Sequence, residues 1–253
     1  MKRLLVFVVG VVVIVAACRR GGAEGSVKVL EREGYRVGYD STMRCARWVE
    51  WTLTPQRLQG DVERRIHYDS TGRAIGIADF SPALVEKGVI EDREVPQPRP
   101  SLSDWRLRPD SMSRGHMCPA ADCKFSEAAM NQSFLLTNIC VQTKRLNSGS
   151  WNRLEMKCRD HVNKYGDTLT IVCGPVFLAG RPVRRMGNIA VPDAFFKAVV
   201  SSRGARTWAF LYVNDTTSHA MDDALTTLDS LRRVTGIDFL PGIADNPAPL
   251  SRL

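Results

Sequence analysis

The sequence predicts an α+β fold with a mainly antiparallel central sheet flanked by helices. Four β-prone apolar runs and one alternating segment indicate the sheet, and two stretches with apolar residues at three- and four-residue steps indicate helices. These segments do not follow the strict strand-helix-strand order of a parallel doubly wound sheet. With 253 residues, of which 44% are apolar, the chain can bury a full core, which excludes a disordered class.

The predicted strands are short segments rich in β-branched and aromatic residues. Residues 48–54 alternate apolar and polar side chains, which is typical of a half-buried strand, and Pro55 ends that strand. The remaining strands are predicted at residues 134–140, 168–173, 195–200 and 207–213.

Two helices are predicted in the second half of the chain. In residues 150–165 the apolar positions recur at helical spacing, and Gly166 follows where a glycine commonly ends a helix. Residues 218–234 have similar spacing, with Gly236 close behind. The proline-rich residues 95–103 are predicted to form a surface loop.

The N-terminus has the composition of an export signal. Lys2 and Arg3 precede an apolar run at residues 4–17, which is too short to span a bilayer but fits a signal peptide. Small residues come just before Cys18, so Cys18 is predicted to be lipidated, as in a bacterial lipoprotein. Ordinary secretion, with Cys18 incidental to the cleavage site, is the alternative.

This interpretation predicts an exported protein, either anchored to a bacterial membrane by its lipid or secreted or periplasmic. The glycine-rich segment after Cys18 is typical of a flexible tether. The chain is accordingly divided into a signal peptide, a tether, one folded domain and a C-terminal tail, at residues 1–17, 18–27, 28–240 and 241–253.

The formal net charge of +8 indicates a partner with negative charge. Nucleic acid, an anionic membrane and an acidic polysaccharide all satisfy that condition, and charge alone does not choose among them.

Six cysteines follow Cys18. An even number in an exported chain indicates disulfides, and six cysteines allow fifteen connectivities, among which the sequence does not select. A zinc site is poorly supported because the chain has no Cys-x-x-Cys pair.

Two phrases carry groups suited to phosphodiester hydrolysis, Ser-Arg-Gly-His-Met-Cys-Pro at 113–119 and Asn-Ser-Gly-Ser-Trp-Asn-Arg-Leu-Glu at 147–155. This reaction needs a base for water, a cation beside the phosphate and help for the departing oxygen. His116 is the candidate base because imidazole titrates near neutrality. Arg114 lies two positions earlier, so on a strand both side chains face the same side and can meet one phosphate.

Asn147 offers a neutral oxygen ligand for magnesium, although asparagine is also a favoured helix N-cap. Glu155 lies eight residues later, a rise of about 12 Å in a continuous helix. Both groups would then be unable to ligate one ion directly. Either the helix begins after Asn147 or Glu155 acts through metal-bound water; a solvated glutamate paired with Arg159 is the simpler alternative.

Three phrases in order, at residues 113–120, 131–142 and 146–155, resemble the DNA/RNA non-specific endonuclease family, in the ββα-metal (His-Me finger) group. The resemblance extends over roughly residues 39–240 and is most specific at 114–175. It implies a ββα-metal finger active site and an enzyme that cuts DNA and RNA through phosphate contacts with little sequence preference.

The resemblance also implies roles for individual residues. His116 would be the general base, Asn147 the principal protein ligand of a single Mg²⁺, for which Mn²⁺ can substitute, and Glu155 would hold metal-bound water near the leaving group. Arg114 and Asn138 would be active-site residues. A further family arginine matches Arg64 best, with Arg65 as the second choice.

The chain departs from the family pattern at two positions. Ser113 stands where the motif often has aspartate, and Val141 replaces a proline. Neither supplies the base or the metal oxygen, so we expect altered local support and retained chemistry. Two other functions remain open: a metal-dependent phosphodiesterase acting on a substrate other than nucleic acid, and a non-catalytic nucleic-acid-binding lipoprotein. The oligomeric state is not predicted.

Overall fold

The computed structural model describes residues 27–253, and a seven-stranded sheet, here the central sheet, runs through its middle. All neighbouring strands in it are antiparallel. In spatial order they are β1 Val27–Glu31, β2 Arg36–Asp40, β3 Cys45–Leu53, β8 Leu169–Val176, β11 Ala194–Ser201, β12 Thr207–Val213 and β13 Leu225–Thr226. The predicted α+β class with a mainly antiparallel sheet is confirmed.

Three small antiparallel sheets lie outside the central sheet. They pair β4 Val85–Glu86 with β5 Val89–Ile90, β6 Met112–His116 with β7 Ile139–Thr143, and β9 Arg185–Met186 with β10 Ile189–Ala190. The α-helices are α1 Pro55–Leu58, α2 Leu102–Arg106, α3 Glu127–Ser133, α4 Lys144–Leu146, α5 Asn152–Tyr165 and α6 Leu228–Thr235.

The two longest helices cover opposite faces of the central sheet. Alternate residues of β11 point to opposite faces, so Phe195 packs in the cluster that holds Leu154 of α5. Phe196 packs instead in the cluster that holds Leu231 of α6. Each such buried side chain contributes about 1.5–3 kcal/mol relative to an exposed one, which is why the sheet needs a helix on each side.

The pair β6 and β7, together with the helical segment 144–165, forms the unit here called the finger. His116 at the end of β6 pairs with Ile139 at the start of β7. The apolar face of the pair packs on Trp105 of α2 and on Leu136. The finger thus has the strand-strand-helix order of a ββα-metal site.

The segment 134–140, predicted as one strand, is divided between two structures. Leu136–Asn138 form a 3-10 turn, and the strand starts at Ile139 and pairs within the finger, not in the central sheet. The composition of residues 134–140 favours a strand throughout. The turn is nevertheless needed to bring β7 beside β6. The strands predicted at 168–173, 195–200 and 207–213 are confirmed as β8, β11 and β12, and the one at 48–54 as part of β3.

Both predicted helices exist, with one difference in length. Gly166 and Gly236 end α5 and α6 in left-handed conformation, at φ 57° and φ 66°. The second helix begins only at Leu228, because Thr227 caps it through its side chain and residues 218–227 form turns and a short strand.

The predicted C-terminal tail is packed onto the folded body. Leu253 is 5% exposed, and its carbonyl lies 3.2 Å from Nδ1 of His161. The indole N–H of Trp208 donates to the Pro249 carbonyl at 3.1 Å. The tail was predicted from its proline content and its lack of periodicity. Neither feature indicates whether a segment without regular secondary structure packs on the folded body.

The six cysteines within residues 27–253 are all buried and unbonded. The predicted disulfides are therefore not present in the structure, in which the sulfur atoms of Cys118 and Cys123 are separated by 3.7 Å. In the same part of the chain, no helix has the length and apolar content needed to cross a bilayer. The predicted signal peptide, Cys18 and nearly all of the tether lie outside the described residues.

Candidate active site

A cleft of about 280 Å³ opens between the finger and the segment that carries Arg64. Five predicted site residues line it: Arg64, Arg114, His116, Asn147 and Glu155. They come from three separate parts of the sequence, so the tertiary fold brings together an imidazole, two guanidinium groups, a carboxamide and a carboxyl group.

His116 lines this cleft at the end of β6. Its Nε2 is buried and has no hydrogen-bond partner among the described residues. The ring packs edge-to-face on Phe134, with 5.9 Å between centroids. Burial, with a smaller contribution from the positive charge of Arg64, lowers the pKa of His116 to about 4, while a backbone hydrogen bond with Arg114 opposes the shift. The imidazole is therefore neutral at neutral pH and able to accept a proton.

Arg114 is held on the same strand face as His116, as the two-residue spacing predicts. Its guanidinium lies over the ring of Trp105, 5.7 Å from the centroid. Burial and, second, the charge of Arg108 lower the pKa of Arg114, but an arginine starts so far above neutrality that it stays charged. Its Nε is buried without a partner within residues 27–253, which leaves hydrogen-bonding capacity for a ligand.

Gly115, between these two residues, allows the strands of the finger to approach closely. A Cβ at this position would lie 2.7 Å from Cβ of Gln142 on β7. Ser113, which stands where the family often has aspartate, donates from its hydroxyl to the Gln142 carbonyl at 3.0 Å. The substitution thus supports the strand pairing and leaves the cleft residues in place.

The structure distinguishes between Arg64 and Arg65, the two candidates for the further family arginine. Arg64 lines the cleft. Arg65 is paired with Glu63, with Nε 2.9 Å from Oε2, and both side chains are exposed. The geometry favours Arg64, the first choice.

Asn147 and Glu155 share the cleft because the helix between them is interrupted. Gly149 has non-helical backbone angles, φ −99° and ψ −110°, within a π-helical turn at Asn147–Trp151, and the regular helix α5 starts at Asn152. The rise of a continuous helix therefore does not apply between Asn147 and Glu155. The regular helix begins after Asn147, as one of the two alternatives expected.

Asn138 does not line the cleft. It is fully buried, its oxygen accepts from the Cys118 N–H, and its NH₂ group donates to the carbonyls of Cys118 and Ser133, all at 2.9 Å. Its hydrogen-bonding groups are therefore engaged by backbone. Asn138 was expected to be an active-site residue. In the structure it stabilises the turn that follows His116.

A buried charge network behind Glu155 was missed by the sequence analysis. Nζ of Lys197 lies 3.7 Å from Oε1 of Glu155. Beside them, Arg159 pairs with Asp122 at 2.9 Å, and the indole of Trp51 donates to Asp122 at 3.0 Å. One signal was available: Lys197 is the single charged residue within the strand Ala194–Ser201.

Burial raises the pKa of Glu155, and the nearby ammonium group of Lys197 is the largest influence in the opposite direction. The carboxylate is 11% exposed and reaches the cleft. Its ionisation state is therefore set by a balance between desolvation and the cation behind it.

Comparison with known proteins places the chain in a family. Residues 18–246 match the DNA/RNA non-specific endonuclease family. Human mitochondrial endonuclease G is 29% identical over 237 residues, 88% of this chain and 72% of that protein. Zebrafish (Danio rerio) mitochondrial nuclease EXOG is 30% identical over 224 residues, 82% of this chain and 59% of that protein, so the chain spans less than two thirds of it.

The fold has a solved counterpart. The endonuclease in a crystal structure of an EndoG/EndoGI complex superimposes with a TM-score of 0.64 at 18% identity, over 100% of this chain and 94% of that one. This likeness supports the ββα-metal architecture of the finger. Because the family match spans most of the sequence, the chain belongs to the DNA/RNA non-specific endonuclease family, a family of enzymes.

Proposed function

We propose that this protein is a Mg²⁺-dependent endonuclease that hydrolyses DNA and RNA with little sequence preference. The observation that carries the proposal is the meeting of His116, Asn147, Glu155 and two arginines in one cleft. Family membership supports the reaction class, and the cleft supplies the groups that the reaction needs.

His116 acts as the general base. The attacking water gives its proton to Nε2, the ring nitrogen that is free to receive it. Because the pKa is lowered to about 4, nearly all of the enzyme carries the basic form at neutral pH. The protonated ring returns its proton to solvent after the bond is broken.

Arg64 and Arg114 bind the phosphate. Their charges offset the negative charge that grows on the phosphate oxygens in the transition state. Contacts to phosphate carry no base identity, so binding is insensitive to sequence and weakens as salt rises.

The residues present fit a magnesium site. Asn147 would hold the ion through its carboxamide oxygen, and Glu155, which lines the same cleft, would hold water bound to the ion. Mg²⁺ keeps several waters and needs few protein ligands; residues 27–253 contain no group of three or more His, Cys, Asp or Glu placed around one ion. When bound, Mg²⁺ would supply positive charge that polarises the phosphate and stabilises the departing oxygen. Mn²⁺ can take the same oxygen ligands.

The test is cleavage of plasmid DNA and of RNA by the purified protein, with and without EDTA. The His116→Ala and Asn147→Ala variants are expected to lose about 100-fold or more in kcat, and Mg²⁺ or Mn²⁺ should restore chelated wild-type protein. Arg65→Ala, on the exposed arginine outside the cleft, is the matched control for Arg64→Ala. Cleavage that persists in EDTA would remove the metal from the proposal.

The same experiment separates the alternatives. A wild-type protein that leaves both nucleic acids intact but hydrolyses a small diester such as bis(p-nitrophenyl) phosphate would be a phosphodiesterase for another substrate. A His116→Ala variant that cuts as fast as wild type would assign the cutting to a contaminant and support a binding protein without catalysis.

We also propose export and lipid anchoring, with residues 1–17 as the signal peptide and Cys18 as the lipidated residue. Support comes from the charged, apolar and small residues of the N-terminus. The relatives are named mitochondrial proteins, so location needs a direct test. Expression in a bacterium with a labelled fatty acid should label the wild-type chain and not Cys18→Ser, and the label should fractionate with membranes. An unlabelled protein in the soluble fraction would contradict the proposal.

Export would also expose the thiols to an oxidising compartment. We propose Cys118 and Cys123 as the pair that a disulfide oxidant joins, because their sulfur atoms are 3.7 Å apart. Burial raises the pKa of the Cys118 thiol, so the bond would form during folding. An intact mass lower by two hydrogens, restored by reductant and absent in Cys123→Ser, is the expected result; unchanged thiols in protein taken from the periplasm would refute it.

A further inference from the structure

We propose that Lys197 is a positioning residue for the nuclease reaction, because its ammonium group holds the carboxylate of Glu155 at the cleft from inside the core. The inference rests on the proposed function and concerns the same site. Lys197 itself does not line the cleft, so it would act only through Glu155.

The position of Lys197 is unusual for a lysine. It lies in the middle of β11, opposite Cys173 of β8 and Phe210 of β12. Its side chain is 1% exposed, whereas lysine is almost never fully buried unless it is paired. A charge retained at such a place needs a partner that compensates for lost hydration.

Two indole rings fix the ammonium group. Nζ lies 4.0 Å from the ring centroid of Trp151 and 5.7 Å from that of Trp51. Aromatic faces attract cations, and the attraction grows when water is excluded. Trp151 precedes α5, the helix that carries Glu155, so the same contact ties the lysine to the finger.

Glu155 is the acidic residue that pairs with the ammonium group of Lys197. Asp122, the other buried acid nearby, is engaged by Arg159 at 2.9 Å and by Trp51 at 3.0 Å. Nζ of Lys197 has no hydrogen-bond partner in the described part of the chain, and its distance to Oε1 of Glu155 is 3.7 Å. The pairing is therefore electrostatic, and it favours the ionised carboxylate, whose pKa burial would otherwise raise further.

A purely structural role for Lys197 would be to balance charge within the core. The two roles differ in what the loss of Lys197 does once Glu155 is already altered. If Lys197 acts through Glu155, the two substitutions together cost no more than Glu155→Gln alone, because coupled residues are not additive. If the role is structural, the fold losses in kcat caused by the two single substitutions should multiply in the double variant.

The experiment is a double-mutant cycle on the full protein with Lys197→Met, Glu155→Gln and the combined variant. Methionine matches the four-atom apolar stem of lysine and lacks the ammonium group. Lys197→Met is expected to lower kcat about 10- to 100-fold with little change in KM, as removal of outer partners commonly does. The double variant should match Glu155→Gln. Lys157→Met, on α5 but away from the cleft lining, is the control and should keep wild-type kcat.

A second readout does not depend on activity. In a crystal structure of Lys197→Met the Glu155 carboxylate should leave its wild-type position. The melting temperature of Glu155→Gln should rise when Lys197→Met is added, because the second substitution removes a buried ammonium group that has lost its counter-charge. Wild-type kcat in Lys197→Met, or additive losses in the cycle, would overturn the inference. The inference would also be overturned if Lys197→Met failed to fold both as a single variant and in combination with Glu155→Gln. That result would give Lys197 a purely structural role in the core.

If the wild-type protein cuts no nucleic acid, the proposed function fails by itself. The displacement of Glu155 and the coupled melting temperatures would then still report on the contact between the two side chains. The two failures are therefore distinguishable.

Discussion

Replacing Asn138 by alanine should damage stability more than chemistry. The carboxamide makes three hydrogen bonds to backbone groups of Cys118 and Ser133 and is 0% exposed. Alanine leaves one N–H and two carbonyls buried without their partner. At about 1–3 kcal/mol for each unsatisfied buried group, the unfolding free energy should fall by roughly 4 kcal/mol, after allowance for some entry of water. Typical domains have about 5–15 kcal/mol in total.

Asn131 provides a matched comparison within the same protein. It is also 0% exposed and makes three backbone hydrogen bonds, accepting from the His67 N–H and donating to the carbonyls of His67 and Ile75. Asn131→Ala should therefore cost a similar free energy. It braces a loop that does not carry the base, so kcat per folded molecule should stay near wild type, whereas Asn138→Ala should lower it by moving the turn after His116.

Equilibrium unfolding in urea measures both variants, and kcat is measured at a temperature where each is folded. The midpoint should move with little change in slope, which indicates lost stability without a changed unfolded state. The reasoning would be refuted if Asn138→Ala lost less than about 1 kcal/mol while cleavage was abolished. That result would return Asn138 to the reacting site.

Three further predictions concern the cleft. Arg64→Ala should raise KM for plasmid and flatten its dependence on salt, since one phosphate contact is lost, while Arg65→Ala leaves both unchanged; equal effects would contradict the assignment. The pH profile of kcat/KM should lack the inflection near 6.5 that an unburied histidine gives. The reason is that the pKa of His116 is lowered to about 4, so its basic form persists as the pH falls. An inflection near 6.5 that disappears in His116→Gln would refute this prediction. Gly115→Ala should cost about 1–3 kcal/mol in urea unfolding, since the new methyl group overpacks against Gln142; an unchanged midpoint would show that the strands separate freely.

Local sequence pattern predicted much of the scaffold. The β-prone apolar runs at 195–200 and 207–213 are typical of strands whose two faces are both covered, and Gly166 ends α5 because a residue without Cβ enters the left-handed region easily. The segment at 134–140 was assigned incorrectly, since its composition favours a strand and does not record the turn at Leu136–Asn138. Turns of this kind are decided by where the next strand must go.

The candidate site was predictable as a set of residue types and less so as an arrangement. His116 and Arg114 are two positions apart on one strand, so the sequence alone places them on one face. Arg64 was separated from Arg65 only when the structure brought one into the cleft and left the other with Glu63.

By itself, the sequence determined the fold class and the helix ends at glycine, because these follow from local periodicity and backbone preference. It also predicted a set of candidate reacting groups from side-chain chemistry and from the resemblance to a family. The tertiary structure alone decided that the chain after residue 240 docks on the core, that the amide of Asn138 faces backbone and that Lys197 lies behind Glu155. Each of these depends on contacts between distant parts of the chain, where the burial of a polar group and the position of its partner are set by packing, and no short segment encodes them.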